Sequence, residues 1–283
     1  MIKTGLFSVA ENNMDYCTLM EKAHAMGFEA LELYCYDDLA TADPDVARKI
    51  HDRSVELDMP ISCLSVSANL ESSTQKDQVE RIKRYADVAA VAGAPFIHFT
   101  LFPYLSHHLE GVPLGKLVKQ LAPAVRELCE YSAQKGVMCL CEGQGYYMNG
   151  IGPMEMLIEQ VDHPNLGLLA DLGNPACVDE DTVDFIGHFG TYIKHVHVKD
   201  FQLRHSKPDD GLPWIMTKHG RFFRRVSVGT GDIDLTRAFR LLKKLNYQGC
   251  VVLEDRFVGH EAARAADLAA LKTIQAAVWN ETL

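Results

Sequence analysis

The run His195-Val196-His197-Val198-Lys199-Asp200 places two imidazoles and an ammonium at alternate positions. In a strand, every second side chain shares a face. Ile193, His195, His197 and Lys199 therefore point one way, and Val196 and Val198 the other. Such a polar face is poor core but suits the lining of a site, with His197 and Lys199 nearest its mouth. Three other strand-like runs end in carboxylates: 138–142 in Glu142, 167–171 in Asp171 and 250–254 in Glu254. Carboxylates brought that close cannot all stay ionised without a cation, and a divalent metal is the simplest one. Three oxygen donors and one imidazole, from Glu142, Asp171, Glu254 and His197, suit Mn2+, Mg2+, Co2+ or Zn2+ rather than a thiolate-seeking ion. Simpler roles compete. Glu142 and Glu254 could form rim ion pairs with Arg256, and Asp171 could cap the turn at Gly173. Asp200 could be an acceptor that orients an imidazole, with His195 deeper in the same strand in a similar supporting role. Glu32, His98, Lys199 and Arg256 would contact substrate oxygens, although Lys199 could equally serve only to neutralise the carboxylates.

These positions are far apart along the chain, so the fold must bring them together. Short apolar runs alternate with amphipathic stretches from end to end. Strands are expected at 4–9, 30–35, 61–67, 96–100, 138–142, 167–171, 193–199 and 250–254. Helices are expected near 14–27, 44–57, 75–92, 113–135, 153–161, 178–189, 233–246 and 260–279. Asp43-Pro44 opens the second helix. Gly27, Gly93 and Gly136 close three others as left-handed caps would. Strand runs that are apolar on both faces mark a parallel sheet covered by helices. Strict alternation then gives an α/β protein, closed most economically as a single (β/α)8 TIM barrel over residues 1–283. A doubly wound open sheet is the alternative. It usually carries a Gly-rich first turn, and Phe7-Ser8-Val9-Ala10-Glu11 has none. In a barrel the C-terminal strand ends converge on one pocket, so the carboxylates and His197 would meet there.

The formal net charge of −10 argues against phosphate backbones and anionic lipids as partners. No nucleic acid and no membrane is expected, while a small anionic metabolite stays open. The eight cysteines include no CxxC pair and read as reduced core residues. The chain offers neither a signal-peptide pattern nor an apolar run of about 18 residues, so a cytoplasmic protein is expected. The outsized connection at 201–232 carries Arg204, Lys207, Lys218, Arg221, Arg224 and Arg225 among Trp214, Phe222 and Phe223. A loop of that length is usually functional or disordered, and its aromatics argue against disorder. Aromatic–arginine mixtures are typical of interfaces, so a homo-oligomer, dimer or tetramer, is expected, with phosphate binding as the other use. Gly229 and Gly231 would form a tight turn whose N–H groups could meet a phosphate.

The motifs Glu142-Gly143, Asp171-Leu172-Gly173-Asn174, His195-Val196-His197-Val198-Lys199-Asp200, Val228-Gly229-Thr230-Gly231-Asp232-Ile233-Asp234 and Leu253-Glu254 resemble the sugar phosphate isomerase/epimerase superfamily of xylose-isomerase-like TIM barrels. The resemblance spans the chain in element order and is densest from 142 to 254. It implies one divalent metal, most often Mn2+, held by Glu142, Asp171, His197 and Glu254. In the ketose 3-epimerase branch, it implies that the two glutamates also act as the catalytic acid/base pair. The chemistry is coherent. A metal on the carbonyl and the adjacent hydroxyl oxygen would stabilise the enediolate formed when the α-proton leaves. A base on one face and an acid on the other would then invert the centre. The same pair would serve aldose–ketose isomerisation, or loss of water β to a carbonyl as in inosose dehydratase. The chain departs from the free-sugar epimerase pattern at two places. Asn174 stands where Asp-x-x-His has its His, and Leu203 stands where an Arg is expected six residues past the metal His. The Asp-x-Gly-Asn form looks closer to pentulose-phosphate 3-epimerases, and Asn174 joins the expected substrate contacts.

The expected function is a metal-dependent isomerase or epimerase of a ketose, ketose phosphate or keto-sugar. The alternative is a metal-dependent dehydratase or lyase on a cyclitol or keto-sugar. Apurinic endonucleases share the barrel but need more strand-end histidines and a cationic groove. A non-catalytic sugar-binding module would need no acid/base pair beside a metal.

Overall fold

A computed structural model describes residues 2–8, 15–35, 43–70, 73–102, 111–255 and 261–281. Eight parallel strands form the barrel: β1 (Thr4–Ser8), β2 (Ala30–Cys35), β3 (Ile61–Val66), β4 (Phe96–Phe99), β5 (Met138–Glu142), β6 (Leu166–Asp171), β7 (Ile193–Val198) and β11 (Val251–Asp255). They close in the order β1-β11-β7-β6-β5-β4-β3-β2, as an α/β barrel predicts. Around them lie α1 (Tyr16–Ala25), α2 (Pro44–Glu56), α3 (Gln75–Ala92), α4 (Leu114–Ala133), α5 (Ile151–Val161), α6 (Thr182–Phe189), α7 (Leu235–Lys244) and α8 (Glu261–Trp279). The local signals act as the sequence predicts. The Asp43 carboxylate accepts from the Asp45 N–H ahead of Pro44, and Gly93 closes α3 at φ +78°. All eight cysteines are free thiols. Among the described residues, no helix is long and apolar enough to cross a membrane.

The outer core lies between sheet and helices. Every residue of β3 and of β6 is buried, the consequence of covering both faces of a parallel sheet. Inside the barrel, Cys63, Leu140 and Leu169 pack with Phe96 and Met138 into an apolar plug. Above this floor the inward positions turn polar. A plug below and strand ends above leave a single open end for chemistry.

The 201–232 segment is folded rather than a loop. Asp200–Arg204 (β8), Ile215–Met216 (β9) and Phe222–Val226 (β10) make an antiparallel sheet in the order β8-β10-β9. Phe201 and Phe223, with ring centroids 4.9 Å apart, pack with Tyr146, Ala176 and Cys177 into a separate small core. That burial is the physical reason the aromatics are there. The Lys218 N–H donates to the Cys177 carbonyl, and Thr217 Oγ1 donates to Asp179 Oδ2 at 2.7 Å. These bonds fasten the sheet to the short 3-10 helix Asn174–Val178 that follows β6. Phe-Phe-Arg-Arg-Val lacks the clean alternation that marks a strand, so only its pairing with β8 reveals it.

Candidate metal centre

Two layers of buried polar side chains stand on the plug. The lower one centres on Glu32, which is fully buried. Its Oε2 lies 2.6 Å from His195 Nε2 and 2.7 Å from His197 Nε2, and its Oε1 accepts from Ser65 Oγ. Ser65 Oγ is also 2.9 Å from His98 Nδ1. Phe7 stacks on His197 at 4.8 Å between centroids. Burial works against the Glu32 charge, but the His197 and His195 rings outweigh it and hold the carboxyl well below the usual range. Burial lowers His195 despite Glu32. His197 keeps its proton more tightly: burial opposes the cation, yet Glu32, with Glu142 and Glu254 behind it, raises the ring to about 9.

The upper layer is the rim. Glu142 Oε1 accepts from Asn174 Nδ2 at 2.8 Å, Glu142 Oε2 accepts from Gln144 Nε2 at 3.2 Å, and His98 Nε2 stands 3.5 Å from Glu142 Oε2. Asp171 Oδ1 accepts from the N–H groups of Gly173 and Asn174. Its Oδ2 lies 2.8 Å from Lys199 Nζ, close as an ion pair, but has no hydrogen-bond partner among the described residues. Lys199 donates instead to Glu254 Oε2 at 2.7 Å, and Arg225 Nη1 stands 3.6 Å from Glu254 Oε1. Burial pushes Asp171 up to about 7; Lys199 opposes this, while Glu254 and Glu142 add to it. Lys199 is held well above its ordinary value by Asp171, Glu254 and Glu142, against its burial. Gly173 makes room for the ammonium's stem, since a Cβ there would lie 2.7 Å from Lys199 Cγ.

Donor atoms of Glu142, Asp171 and His197 all lie within 4.8 Å of one another, and so do those of Glu32, His195 and His197. The Glu32 carboxylate of the second group is already satisfied by both imidazoles, although His195 Nδ1 has no hydrogen-bond partner among the described residues. The carboxylates of the first are not. Glu32, Glu142, Asp171 and Glu254 are all buried, and Lys199 and Arg225 are cations that reach the rim carboxylates. Among the described residues the carboxylates outnumber these two cations, and a divalent ion would supply further positive charge. Asp171 Oδ2, ion-paired to Lys199 but without a hydrogen bond among the described residues, and the mixed oxygen–nitrogen donor set fit such an ion.

Several expected residues sit elsewhere than the sequence suggests. Glu32 lies below the mouth with both oxygens engaged, unavailable as a substrate contact. Asp200 orients no imidazole. It accepts from the N–H groups of Gly229, Gly231 and Ile233, which also removes Gly229 and Gly231 from phosphate binding. A Cβ at Gly231 would meet Asp200 Oδ1 at 2.1 Å, so this turn is built around the carboxylate. Asn174 grips Glu142 and the Gly143 carbonyl. Lys199 bridges Asp171 and Glu254, and Glu254 pairs with Lys199 and Arg225. Arg256 lies outside the described residues. The sequence reading missed Ser65 and Arg225 as site residues. A hydroxyl two positions after Cys63, on the same face of the strand, was the available signal for Ser65. Arg225 had none, because it reaches the rim through the β8–β10 pairing.

A curated inosose dehydratase of Clostridium perfringens (strain 13 / Type A) is 26% identical over 262 residues, 86% of this chain and 82% of that protein. Two solved structures share the fold at a TM-score of 0.77. One, a xylose isomerase domain protein from Planctomyces limnophilus, is 16% identical and matches over 99% of each chain. The other, a D-psicose 3-epimerase from Clostridium cellulolyticum H10, is 17% identical over 98% of this chain and 99% of that one. The family model described as xylose isomerase-like TIM barrel matches residues 20–274, and the chain belongs to that family.

Proposed function

We propose that this protein is a divalent-metal-dependent enzyme that moves the proton beside the carbonyl of a ketose, ketose phosphate or related keto-sugar, so isomerising or epimerising it. The observation that carries this reading is the buried set Glu142, Asp171 and His197, whose donor atoms converge and which is linked to Glu254 through Lys199. Glu142, Asp171, His197 and Glu254 would hold the ion, with Mn2+ first among the candidates. His197 would offer Nδ1, because Nε2 is committed to Glu32. When bound, the ion supplies Lewis acidity to the carbonyl oxygen, where negative charge develops as the α-proton leaves.

The acid/base work falls to Glu142 and Glu254. Their strands, β5 and β11, are separated in the barrel by β6 and β7, so the two carboxylates flank Asp171 and His197. One takes the proton from one face of the carbon and the other returns a proton to the opposite face. Asn174 and Gln144 fix the direction of the Glu142 oxygens. Lys199 and Arg225 fix those of Glu254 and offer positive charge to substrate oxygens. A homo-oligomer belongs to the same proposal, with Leu212, Ile215 and Met216 exposed on and beside the edge strand β9 as its contact.

The match to an inosose dehydratase over most of the chain favours a second reading, dehydration of a keto-cyclitol or keto-sugar. It starts with the same proton, after which an acid helps a β-hydroxyl leave. One experiment separates the two. Chelated protein is reloaded with Mn2+ and assayed on ketoses, ketose phosphates and keto-cyclitols, with products weighed by mass spectrometry. Mass retained means isomerisation or epimerisation, and loss of one water means dehydration. Glu142→Gln and Glu254→Gln should each lower kcat about 10²–10⁴-fold, and retained turnover in both rules out the pair.

A further inference from the structure

The lower layer decides which nitrogen of His98 carries hydrogen. Glu32 Oε2 meets His195 Nε2 and His197 Nε2 at 2.6 and 2.7 Å. An ionised carboxylate can only accept, so both ring nitrogens carry hydrogen. Ser65 donates its single hydroxyl proton to Glu32 Oε1. Its oxygen must therefore receive, not give, the 2.9 Å bond with His98 Nδ1. That places hydrogen on His98 Nδ1, and in the neutral ring Nε2 is a bare lone pair. His98 is 4% exposed, and its Nε2 has no hydrogen-bond partner among the described residues. It stands 3.5 Å from Glu142 Oε2, too long for a hydrogen bond and with an acceptor on each side.

A buried acceptor without a donor is costly, and His98 Nε2 is one, facing a Glu142 Oε2 that already accepts from Gln144 Nε2. A group that brings a hydrogen relieves it. The geometry points to His98 Nε2 as the acceptor for a neutral hydroxyl of the substrate, held beside Glu142 by the chain Glu32–Ser65–His98. A phosphate or carboxylate oxygen would meet two lone pairs at this position and be repelled. Any phosphate on the substrate must lie elsewhere, and what the subsite reads is a hydroxyl of a polyhydroxylated ketone. This rests on the keto-sugar reading and adds to it which end of the substrate faces Glu142. His98 holds the hydroxyl directly; Ser65 and Glu32 are positioning residues that act through it.

The test has a ligand-free arm and a turnover arm. Nitrogen NMR of the full-length protein with labelled histidine reports hydrogen on each ring nitrogen. Hydrogen on Nδ1 and none on Nε2 of His98 is expected, with mixed tautomers in Ser65→Ala; hydrogen on Nε2 in the wild type overturns the subsite. In the second arm, wild type, His98→Leu and His98→Gln are assayed on free ketoses, ketose phosphates and keto-cyclitols, and titrated with Mn2+. For the compound turned over, His98→Leu should lose roughly 10- to 100-fold in kcat/KM. His98→Gln, whose carbonyl accepts at similar reach, should keep more, and Mn2+ affinity should hold within about twofold in both. Unchanged kcat/KM in His98→Leu removes the hydroxyl subsite alone. Lost Mn2+ binding in both variants overturns it as well, by making His98 a ligand. Absence of wild-type turnover on every compound removes the keto-sugar reading together with the subsite.

Discussion

The two polar layers of the barrel meet at His197 and are built to opposite rules. The Glu32 carboxylate is matched: two imidazoles and a hydroxyl converge on it, all of it buried. Around Asp171 the match fails. Three buried carboxylates share Lys199 and Arg225, one carboxylate oxygen is left without a hydrogen bond, and Asp171 is pushed up to about 7. A buried network that is complete fixes the rotamers and tautomers of its members. One that lacks positive charge is costly alone and is relieved by whatever brings that charge. The lower layer is therefore a positioning device and the upper one a binding site. His197 belongs to both, with one nitrogen for each.

The widest effect should come from cutting one carboxylate from each layer and comparing the signs. Glu32→Leu strands two buried imidazoles and a hydroxyl, and should cost about 3–5 kcal/mol of stability. Asp171→Asn keeps the oxygen that caps Gly173 and Asn174 while removing a charge from a cluster with too many. In chelator it should be neutral or stabilising, yet Mn2+ binding should fall more than about 100-fold. Urea unfolding and Mn2+ titration of both variants check this. Equal destabilisation by the two changes would erase the contrast.

The pH dependence separates the layers further. His197 rises to about 9 from an ordinary 6.5, so its contribution is complete below 6.5 and is lost as pH climbs through 9. Asp171 rises to about 7 from 3.8, so the proton that relieves it is also lost on the way up, between those values. Glu32, held low, stays ionised and constant across this range. The chelated protein should thus be less stable at pH 9 than at pH 6. With Mn2+ the difference should shrink or reverse, because the metal replaces the protons and binds the deprotonated ligands. Denaturation midpoints at both pH values, with chelator and with Mn2+, give the answer. A chelated protein equally stable at both pH values would remove the charge deficit from the account.

The fold was legible because its signals are local: apolar strands, acidic caps and glycine stops. The rim was legible where alternation alone decides direction, as at Glu142, Asp171 and His197. Depth was not. Glu32 pairs with Phe7 on one side and Cys63 on the other, which sets it below the strand ends. That height comes from the stagger between strands, which no single strand encodes. Asp200 follows the strand that carries the imidazoles, and its neighbours in sequence suggested a partner there. Its true partners are N–H groups about thirty residues later, reached only once β8 and β10 pair. Arg225 arrives at Glu254 by the same pairing. Each of these departures depends on contacts between distant parts of the chain.

Lys199 offers the smallest and sharpest test, because it sits on the boundary of the comparison. Its ammonium supplies one of the positive charges the rim needs, 2.8 Å from Asp171 and 2.7 Å from Glu254. A divalent ion held by the same carboxylates competes with it for their charge. Lys199→Met keeps most of the stem that packs against Gly173 and Phe201 but deletes that charge. Removing a cation a few ångströms from the ion is worth a few kcal/mol at an intermediate dielectric, part of it returned by relaxation. Mn2+ should therefore bind roughly tenfold more tightly to the variant, while turnover falls because the substrate loses the ammonium. Titration calorimetry and an assay on the same preparation read the two effects separately. Weaker Mn2+ binding in Lys199→Met would mean that the lysine organises the carboxylates for the ion instead of competing with it, and the rim would then belong with the lower layer as a positioning network.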